Sequence, residues 1–168
     1  MSTIVIRPIK PEDNHAIRDV INQCAVEYGL VGEGYGPSDE EVNSMYHSYD
    51  QPRSIYLVCE LDGHILGGAG IAPFPEEGDH WCELRKMYLS PPGRGRGLGQ
   101  QLLVELLHHA LNLNFTACYL ETTAVLSEAL ELYLKNGFKK LAEPLGNTGH
   151  SACEIPMGMN PISQSIKG

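Results

Sequence analysis

The chain has 168 residues, of which 42% are hydrophobic and 20% charged, and its formal net charge is −9 at pH 7. These values are ordinary for one soluble globular domain that is large enough to bury a core. The acidic balance argues against nucleic acid as the main partner. No apolar run approaches the ~18 residues of a membrane-spanning helix, so no membrane partner is expected.

The first part of the chain predicts a strand and a helix. The β-branched run from Ile4 to Arg7 predicts a strand that Pro8 stops. Pro11-Glu12-Asp13 predicts a helix entry, because proline and acidic residues favour the first helical turn. We expect Gly29 to end this helix. Its predicted apolar stripe comprises Ile17, Ile21, Cys24, Ala25 and Tyr28.

The rest of the chain alternates between strands and helices. Residues 29–37 predict a mobile loop, and Ser38-Asp39-Glu40-Glu41 is typical of a cap before a short helix that ends near Ser48. The glycines Gly67, Gly68 and Gly70 predict a bulge or a close backbone approach. Further strands are expected over Ile55 to Leu61, His64 to Ala72, Cys82 to Leu89, Ala117 to Thr122, Gly137 to Ala142 and Ser151 to Met157.

The most informative segment is the glycine-rich loop from Pro92 to Gly99, with the sequence PGRGRGLG. It follows the predicted strand that ends at Leu89 and opens into a helix-like run, Gln100 to Asn112. Glycines allow a ligand to approach the backbone, and a helix start offers free N–H groups and the positive end of its dipole. The loop therefore predicts a site for a phosphate-bearing cofactor.

Three phosphate-binding patterns compete for this loop. The P-loop needs Lys followed by Ser or Thr after its last glycine, but Gln100-Gln101 stand there. The dinucleotide pattern G-x-G-x-x-G fails because Leu98 or Gln100 occupies the third glycine position. Glu121 does stand where a ribose-binding acid belongs, but the strand before the loop carries charged side chains, which a buried parallel strand lacks. The third pattern is Arg (or Gln)-x-x-Gly-x-Gly (or Ala), which Arg94 to Gly99 matches at every fixed position.

This third pattern is the pyrophosphate loop of the GNAT acyltransferases, and the chain resembles that family around it. The strand before the loop ends in Met87-Tyr88-Leu89, and an amphipathic helix follows the loop. The segment from Ser127 to Phe138 resembles a second motif of the family. Its matching residues are Ala129, Tyr133, Lys135, Gly137 and Phe138. The resemblance covers Ile4 to Met159 in element order and is specific from Glu83 to Phe138.

The resemblance implies an α/β fold of mixed α+β type, the GNAT acyl-CoA N-acyltransferase fold. In this fold a twisted mixed sheet of about seven strands carries about four helices, and strands four and five splay apart to hold acyl-CoA. We expect residues 1–160 to form a single N-acetyltransferase domain and residues 161–168 to form a loose tail.

The implied reaction transfers an acetyl group from acetyl-CoA to a primary amine of a small molecule or a protein, by direct attack through a tetrahedral intermediate. Tyr133 is the implied general acid. Glu83 is a candidate general base that can instead be locked in a salt bridge with Arg85 or Lys86. Strand alternation places residues 83, 85, 87 and 89 on one face and Lys86 on the other. The implied cofactor-binding residues are Met87, Tyr88, Leu89, Arg94, Gly95, Arg96, Gly97, Leu98, Gly99 and Ser127.

Some points stay open at this level. Many members of the family carry a cofactor-binding Asn near the start of the second motif, where this chain has Leu126 with Ser127 beside it. His150 is a candidate substrate contact. No metal is expected, since the five cysteines stand singly and read as buried thiols of a cytoplasmic protein. The sequence names neither the acceptor amine nor whether the chain forms a homodimer, and a non-catalytic acyl-CoA-binding protein of the same fold is the alternative function.

Overall fold

The computed structural model describes residues 3–163, which fold around one seven-stranded sheet. The strands are β1 (Ile4–Pro8), β2 (Ile55–Leu61), β3 (His64–Pro73), β4 (Trp81–Leu89), β5 (Ala117–Thr122), β6 (Lys139–Lys140) and β7 (Ile155–Met159). Their spatial order is β1-β2-β3-β4-β5-β7-β6. Neighbouring strands run antiparallel except β4 and β5, which are parallel. The predicted mixed sheet is confirmed.

The described residues form the α-helices α1 (Asn14–Tyr28), α2 (Met45–Tyr49), α3 (Leu98–Asn112) and α4 (Ser127–Lys135). The core lies on both faces of the sheet, with α1 and α2 on one face and α3 and α4 on the other. As predicted, Gly29 ends α1 in the left-handed conformation, at φ 70°. The helix predicted to be amphipathic, α3, buries its apolar face, which includes Leu98, Leu102 and Leu106. No helix within residues 3–163 is long and apolar enough to cross a bilayer.

Several predicted boundaries differ from the structure. A 3-10 turn over Glu40–Ser44 precedes α2, because the Asp39 carboxylate binds Lys86 and His150 instead of capping a helix. Helix α3 begins two residues earlier than predicted, at Leu98. Strand β6 is confined to Lys139–Lys140. Strand β7 begins at Ile155, since the residues before it form turns that contact the loop after α1. The predicted tail lies outside the described residues from residue 164 onward.

The predicted bulge lies where β3 meets β4. Gly68 pairs with Tyr88 and Gly70 with Arg85, so two residues of β4 oppose one residue of β3. The glycines are required there, because a Cβ on Gly67 would lie 2.1 Å from the Tyr88 carbonyl oxygen. Within the bulge, Lys86 adopts a left-handed φ of 54°.

The bulge reverses the alternation of side chains along β4. Leu84 packs in the core under α3, and beyond the bulge Met87 and Leu89 pack on that same side. The charged side chains that precede the bulge, and Lys86 with them, face the α1 and α2 side. The prediction that residues 87 and 89 share the face of Glu83, with Lys86 opposite, is therefore wrong, because one extra residue shifts the phase of the strand.

Candidate active site

The site is organised by the divergence of β4 and β5. These parallel strands pair from Trp81–Ala117 to Glu83–Tyr119, and the pairing ends there although β4 continues to Leu89. Beyond Glu83 the edge of β4 that faces β5 is free of ladder partners among the described residues. The splayed strands four and five that the sequence predicted are present, and they open the sheet into a continuous set of cavities.

A cleft of about 330 Å³ lies at the open end of this split, and we call it the large cleft. All of the predicted cofactor-binding residues line it except Arg96, whose Nε donates a hydrogen bond to the Pro92 carbonyl oxygen at 2.8 Å. The other lining residues include Cys24 and Tyr28 of α1, which sequence reasoning missed. Their apolar stripe predicts a core-facing helix side but not a cleft wall.

The glycine-rich loop forms the anion-binding end of the large cleft. Gly97 is the N-cap of α3 and has a left-handed φ of 75°, and Gly95 has a φ of 72°. A Cβ on either glycine would meet no atom within 4 Å, so the backbone there is open to a ligand. The first N–H groups of a helix have no carbonyl partner within it, and here those of α3 face the cleft end. This loop fits a pyrophosphate group.

Arg94 joins the loop to α1. Its guanidinium nitrogens donate to both carboxylate oxygens of Glu27, at 2.5 and 2.8 Å, and its Nε donates to the Leu89 carbonyl oxygen at 2.9 Å. The guanidinium also lies 5.1 Å from the ring centre of Tyr28. These contacts fix the loop against α1. Because Glu27 balances the charge of Arg94, the loop offers less free positive charge to a ligand than its two arginines suggest.

Tyr133 is a buried residue of α4 that reaches the cleft wall. Its ring packs against Phe138 with 5.8 Å between ring centres, and its hydroxyl donates to the Met87 sulfur at 3.7 Å. Met87 lines the large cleft. Burial raises the pKa of the Tyr133 hydroxyl above its usual value, so the group is protonated at neutral pH.

Glu83 is 4% exposed and forms an ion pair with Arg85, whose Nε donates to Glu83 Oε1 at 2.6 Å. Burial raises the pKa of the Glu83 carboxyl, and the positive charge of Arg85 opposes this rise. The sequence left open whether Glu83 is a general base or a salt-bridge partner, and the geometry has features of both. The carboxylate is desolvated as a general base requires, and it is also ion-paired.

A second opening of about 220 Å³, the polar cavity, lies on the α1 and α2 side of β4. Its lining residues are Asp39, Glu41, Phe74, Pro75, Glu76, Glu83, Arg85, Asn147, Thr148 and His150. A smaller void of about 50 Å³ shares Tyr88 and Leu126 with the large cleft, and Glu83 and Arg85 with the polar cavity. The three spaces therefore follow one another along the split between β4 and β5. We call the small void in the middle the passage, and Glu83 is one of its lining residues.

An ion-pair network forms the rim of the polar cavity. The Lys86 side chain is 2% exposed, and its ammonium nitrogen lies 2.7 Å from Asp39 and 3.1 Å from Glu41. His150 binds Asp39 through Nε2, and its Nδ1 lies 3.4 Å from Glu121. Hydrogen bonds to these two carboxylates raise the pKa of His150 to about 9, so its ring is a cation at neutral pH. Sequence reasoning missed Asp39 and Glu41, because these partners are far from Lys86 and His150 in the chain.

Glu83, Glu121 and His150 bring one ligand atom each to within 4.8 Å of one another, a spacing that a metal ion could use. A ligating histidine must be neutral, whereas both ring nitrogens of His150 face carboxylates and its pKa is raised. Within the described residues, this cluster is better explained as ion pairs than as a metal site.

Comparisons with known proteins agree with this architecture. The model of the acetyltransferase (GNAT) family matches residues 15–138. YjgM of Escherichia coli strain K12, described as an uncharacterised N-acetyltransferase, is 43% identical over 154 residues, which cover 91% of this chain and 92% of YjgM. A GNAT-family acetyltransferase of Staphylococcus aureus Mu50 superposes with a TM-score of 0.80 at 17% identity, over 94% of this chain and 99% of its own. The structure of yncA from Salmonella typhimurium with its cofactor acetyl-CoA has a TM-score of 0.75 at 17% identity, over 98% and 96% of the two chains.

Proposed function

The chain belongs to the GNAT acetyltransferase family, and from this premise we propose that it transfers the acetyl group of acetyl-CoA to a primary amine. The observation that carries this proposal is the divergence of β4 from β5 after Glu83. It leaves the glycine-rich loop and Glu83 along one split, with Tyr133 behind the cleft-lining Met87, and this supports a meeting of a cosubstrate in the large cleft with an amine in the polar cavity.

The large cleft is the proposed acetyl-CoA site. We assign the pyrophosphate of acetyl-CoA to the backbone N–H groups from Gly95 to Gly99, at the positive end of α3. We assign the pantetheine arm of acetyl-CoA to the free edge of β4 at Met87, Tyr88 and Leu89. Backbone N–H groups at this edge can also polarise the acetyl carbonyl. Ser127 begins α4 and lines the cleft, and we assign it the contact made by Asn in many members of the family.

The proposed reaction is a single displacement on the thioester. The amine nitrogen attacks the acetyl carbon, and the tetrahedral oxyanion that forms is stabilised by the N–H groups of β4. Glu83 accepts the proton of the amine, through water, because its carboxylate lies at the passage between the two sites. The carbon–sulfur bond then breaks, and the Tyr133 hydroxyl donates a proton to the leaving thiolate of CoA.

A test of this function follows free-thiol release from acetyl-CoA with a panel of primary amines, with mass spectrometry of the acetylated product. Amine-dependent release with a matching product supports the proposal. The alternative is a non-catalytic acyl-CoA-binding protein of the same fold. Calorimetric binding of CoA, together with no amine-dependent release across the panel, would favour that alternative.

A further inference from the structure

The cations at the polar cavity differ in how far the protein itself uses them. Lys86 is paired with Asp39 and Glu41, and His150 is paired with Asp39 and Glu121. These two cations hold the rim together, and their charges are balanced by carboxylates. Neither of them is therefore available to bind an anionic group of a ligand without breaking the network.

Arg85 is different, because only part of its guanidinium is used. Its Nε donates to Glu83 Oε1, whereas its two terminal nitrogens have no hydrogen-bond partner among residues 3–163. The side chain is 29% exposed and lines both the polar cavity and the passage. A guanidinium offers its N–H groups as a rigid planar fork that matches the two oxygens of a carboxylate.

The Glu83 carboxylate likewise pairs with Arg85 through only one of its two oxygens. One carboxylate oxygen, Oε1, accepts the bond from Arg85, and Oε2 takes no part in it. The ion pair thus presents a hydrogen-bond acceptor next to a pair of donors, with 2.6 Å between the bridging atoms Nε and Oε1. An α-amino acid carries the complementary groups on one carbon, an ammonium and a carboxylate.

We infer that the acceptor is an α-amino acid, whose carboxylate is bound by the terminal nitrogens of Arg85 while its amino group lies at Glu83. This inference rests on the proposed function and specifies its substrate class. It assigns Arg85 as a specificity-determining residue. Binding of the carboxylate also draws the positive charge of Arg85 away from Glu83, which favours proton uptake by the Glu83 carboxylate when the acceptor is in place.

The size and charge of the polar cavity agree with such an acceptor. Its volume of about 220 Å³ lies below the ~300–1,000 Å³ that is usual for larger ligands. Acidic groups outnumber cationic ones around it, even with His150 counted as charged, which disfavours a dianion and accommodates a molecule that also carries an ammonium. The charged groups on and beside the cavity are Asp39, Glu41, Glu76, Glu83, Glu121, Arg85, Lys86 and His150.

The test compares matched acceptors that differ only in the carboxylate. Each α-amino acid of a panel is assayed beside its α-amide and beside the amine that lacks the carboxyl group, and kcat/KM is measured for all three. Wild type should prefer the amino acid, and Arg85→Gln should lower the ratio of kcat/KM for amino acid over amide by about 10- to 100-fold. Both kcat/KM values in the ratio come from the same preparation, so the fraction of active enzyme cancels. The two amines also differ in basicity, but that difference is the same for wild type and variant and cancels when their ratios are compared.

Two controls separate specificity from folding. Arg18→Gln removes an arginine from the surface of α1, where its guanidinium lies 3.0 Å from His15 Nδ1, and should leave the ratio unchanged. Arg85→Lys keeps the charge without the fork and should recover part of the preference. If Arg85→Gln does not fold, calorimetry of wild-type protein with CoA bound still decides, since the amino acid should bind at least 10-fold more tightly than its amide.

The outcomes distinguish this inference from the proposed function. If no amine of any class releases thiol, the N-acetyltransferase function itself is wrong. If wild type acetylates amides and simple amines as well as amino acids, the function stands and the amino-acid acceptor is overturned. A uniform loss of activity in Arg85→Gln, with an unchanged ratio, would also overturn it, because Arg85 would then act only through Glu83.

Discussion

His150 Nε2 lies 2.5 Å from Asp39 Oδ2, and this ion pair joins two loops whose residues are 111 positions apart in the chain. Hydrogen bonds to Asp39 and Glu121 raise the pKa of His150 to about 9, while the nearby charge of Lys86 acts against the rise. The unfolded chain has an ordinary histidine pKa of about 6.5. The ion pair therefore adds stability that is complete below pH 6.5 and is lost as the pH rises through 9.

We accordingly expect His150→Gln to be destabilising near pH 6 and progressively less so toward pH 9.5. The difference in the free energy of unfolding between wild type and variant should shrink by roughly 3 kcal/mol over that range. Urea denaturation at several pH values measures it. His15→Gln is the matched control, since that ring is 77% exposed beside Asp19 and should give a small difference at every pH. A pH-independent difference for His150→Gln would contradict the ion pair.

The pyrophosphate assignment predicts that Gly97→Val abolishes most CoA binding. The substitution places a branched side chain on the open surface of the loop and strains a left-handed backbone at φ 75°. We expect the affinity for CoA, measured by calorimetry, to fall at least about 10-fold.

A control must separate strain from loss of the site. Gly63 lies in the turn between β2 and β3, has a φ of 85°, and would also meet no atom within 4 Å of an added Cβ. Gly63→Val should therefore cost similar stability without changing CoA affinity. If Gly97→Val binds CoA as tightly as wild type, the pyrophosphate site is elsewhere.

The general-acid assignment predicts that Tyr133→Phe lowers kcat by roughly 10- to 1000-fold. The change removes only the hydroxyl that contacts the Met87 sulfur, so CoA affinity should stay within about twofold of wild type. Tyr46→Phe is a suitable comparison, because Tyr46 belongs to α2 and packs against the core on the α1 side of the sheet, and it does not line the large cleft. Unchanged turnover in Tyr133→Phe would reduce Tyr133 to a packing residue.

The base assignment predicts a change in the pH–rate profile of Glu83→Gln. Burial raises the pKa of the Glu83 carboxyl, and a base must be unprotonated, so the wild-type rate should fall as the pH drops through that raised pKa. Glu83→Gln should lose this limb of the profile and turn over roughly 10- to 1000-fold more slowly. A loss of stability with an unaltered profile would instead identify Glu83 as a structural partner of Arg85.

A double-mutant cycle with Glu83→Gln and Arg85→Gln separates the two contributions. Stability measurements give the coupling energy of the ion pair, and rate measurements give the coupling in turnover. With an acceptor amine that lacks a carboxylate, the double variant should be as slow as Glu83→Gln alone if Glu83 is the base, because Arg85 then has neither a Glu83 carboxylate to modulate nor an acceptor carboxylate to bind.

The order of the strands and helices could be predicted from local patterns in the chain, although the bounds of α2, β6 and β7 could not. The loop from Arg94 to Gly99, the helix after it and the motif around Tyr133 each lie within a few residues, so their spacing is visible in the sequence. The same is true of the core faces of α1 and α3, because helical periodicity alone decides which side chains are buried. The family and its fold follow from these local signals.

The sequence by itself determined the alternation of strands and helices, the glycine-rich loop at a helix start and the identity of the residues along β4, and its resemblance to the GNAT family implied the mixed sheet. Only the tertiary structure decided which way those residues face, because a bulge of one residue inverts the alternation and its position depends on the pairing of Gly68 and Gly70 with β4. The rim of the polar cavity was likewise decided by the fold. The attraction between charges depends on their distance in space and not on their separation in the sequence. The pairing of Asp39 with Lys86 and His150 therefore became visible only in the folded structure, where the sheet brings these residues together.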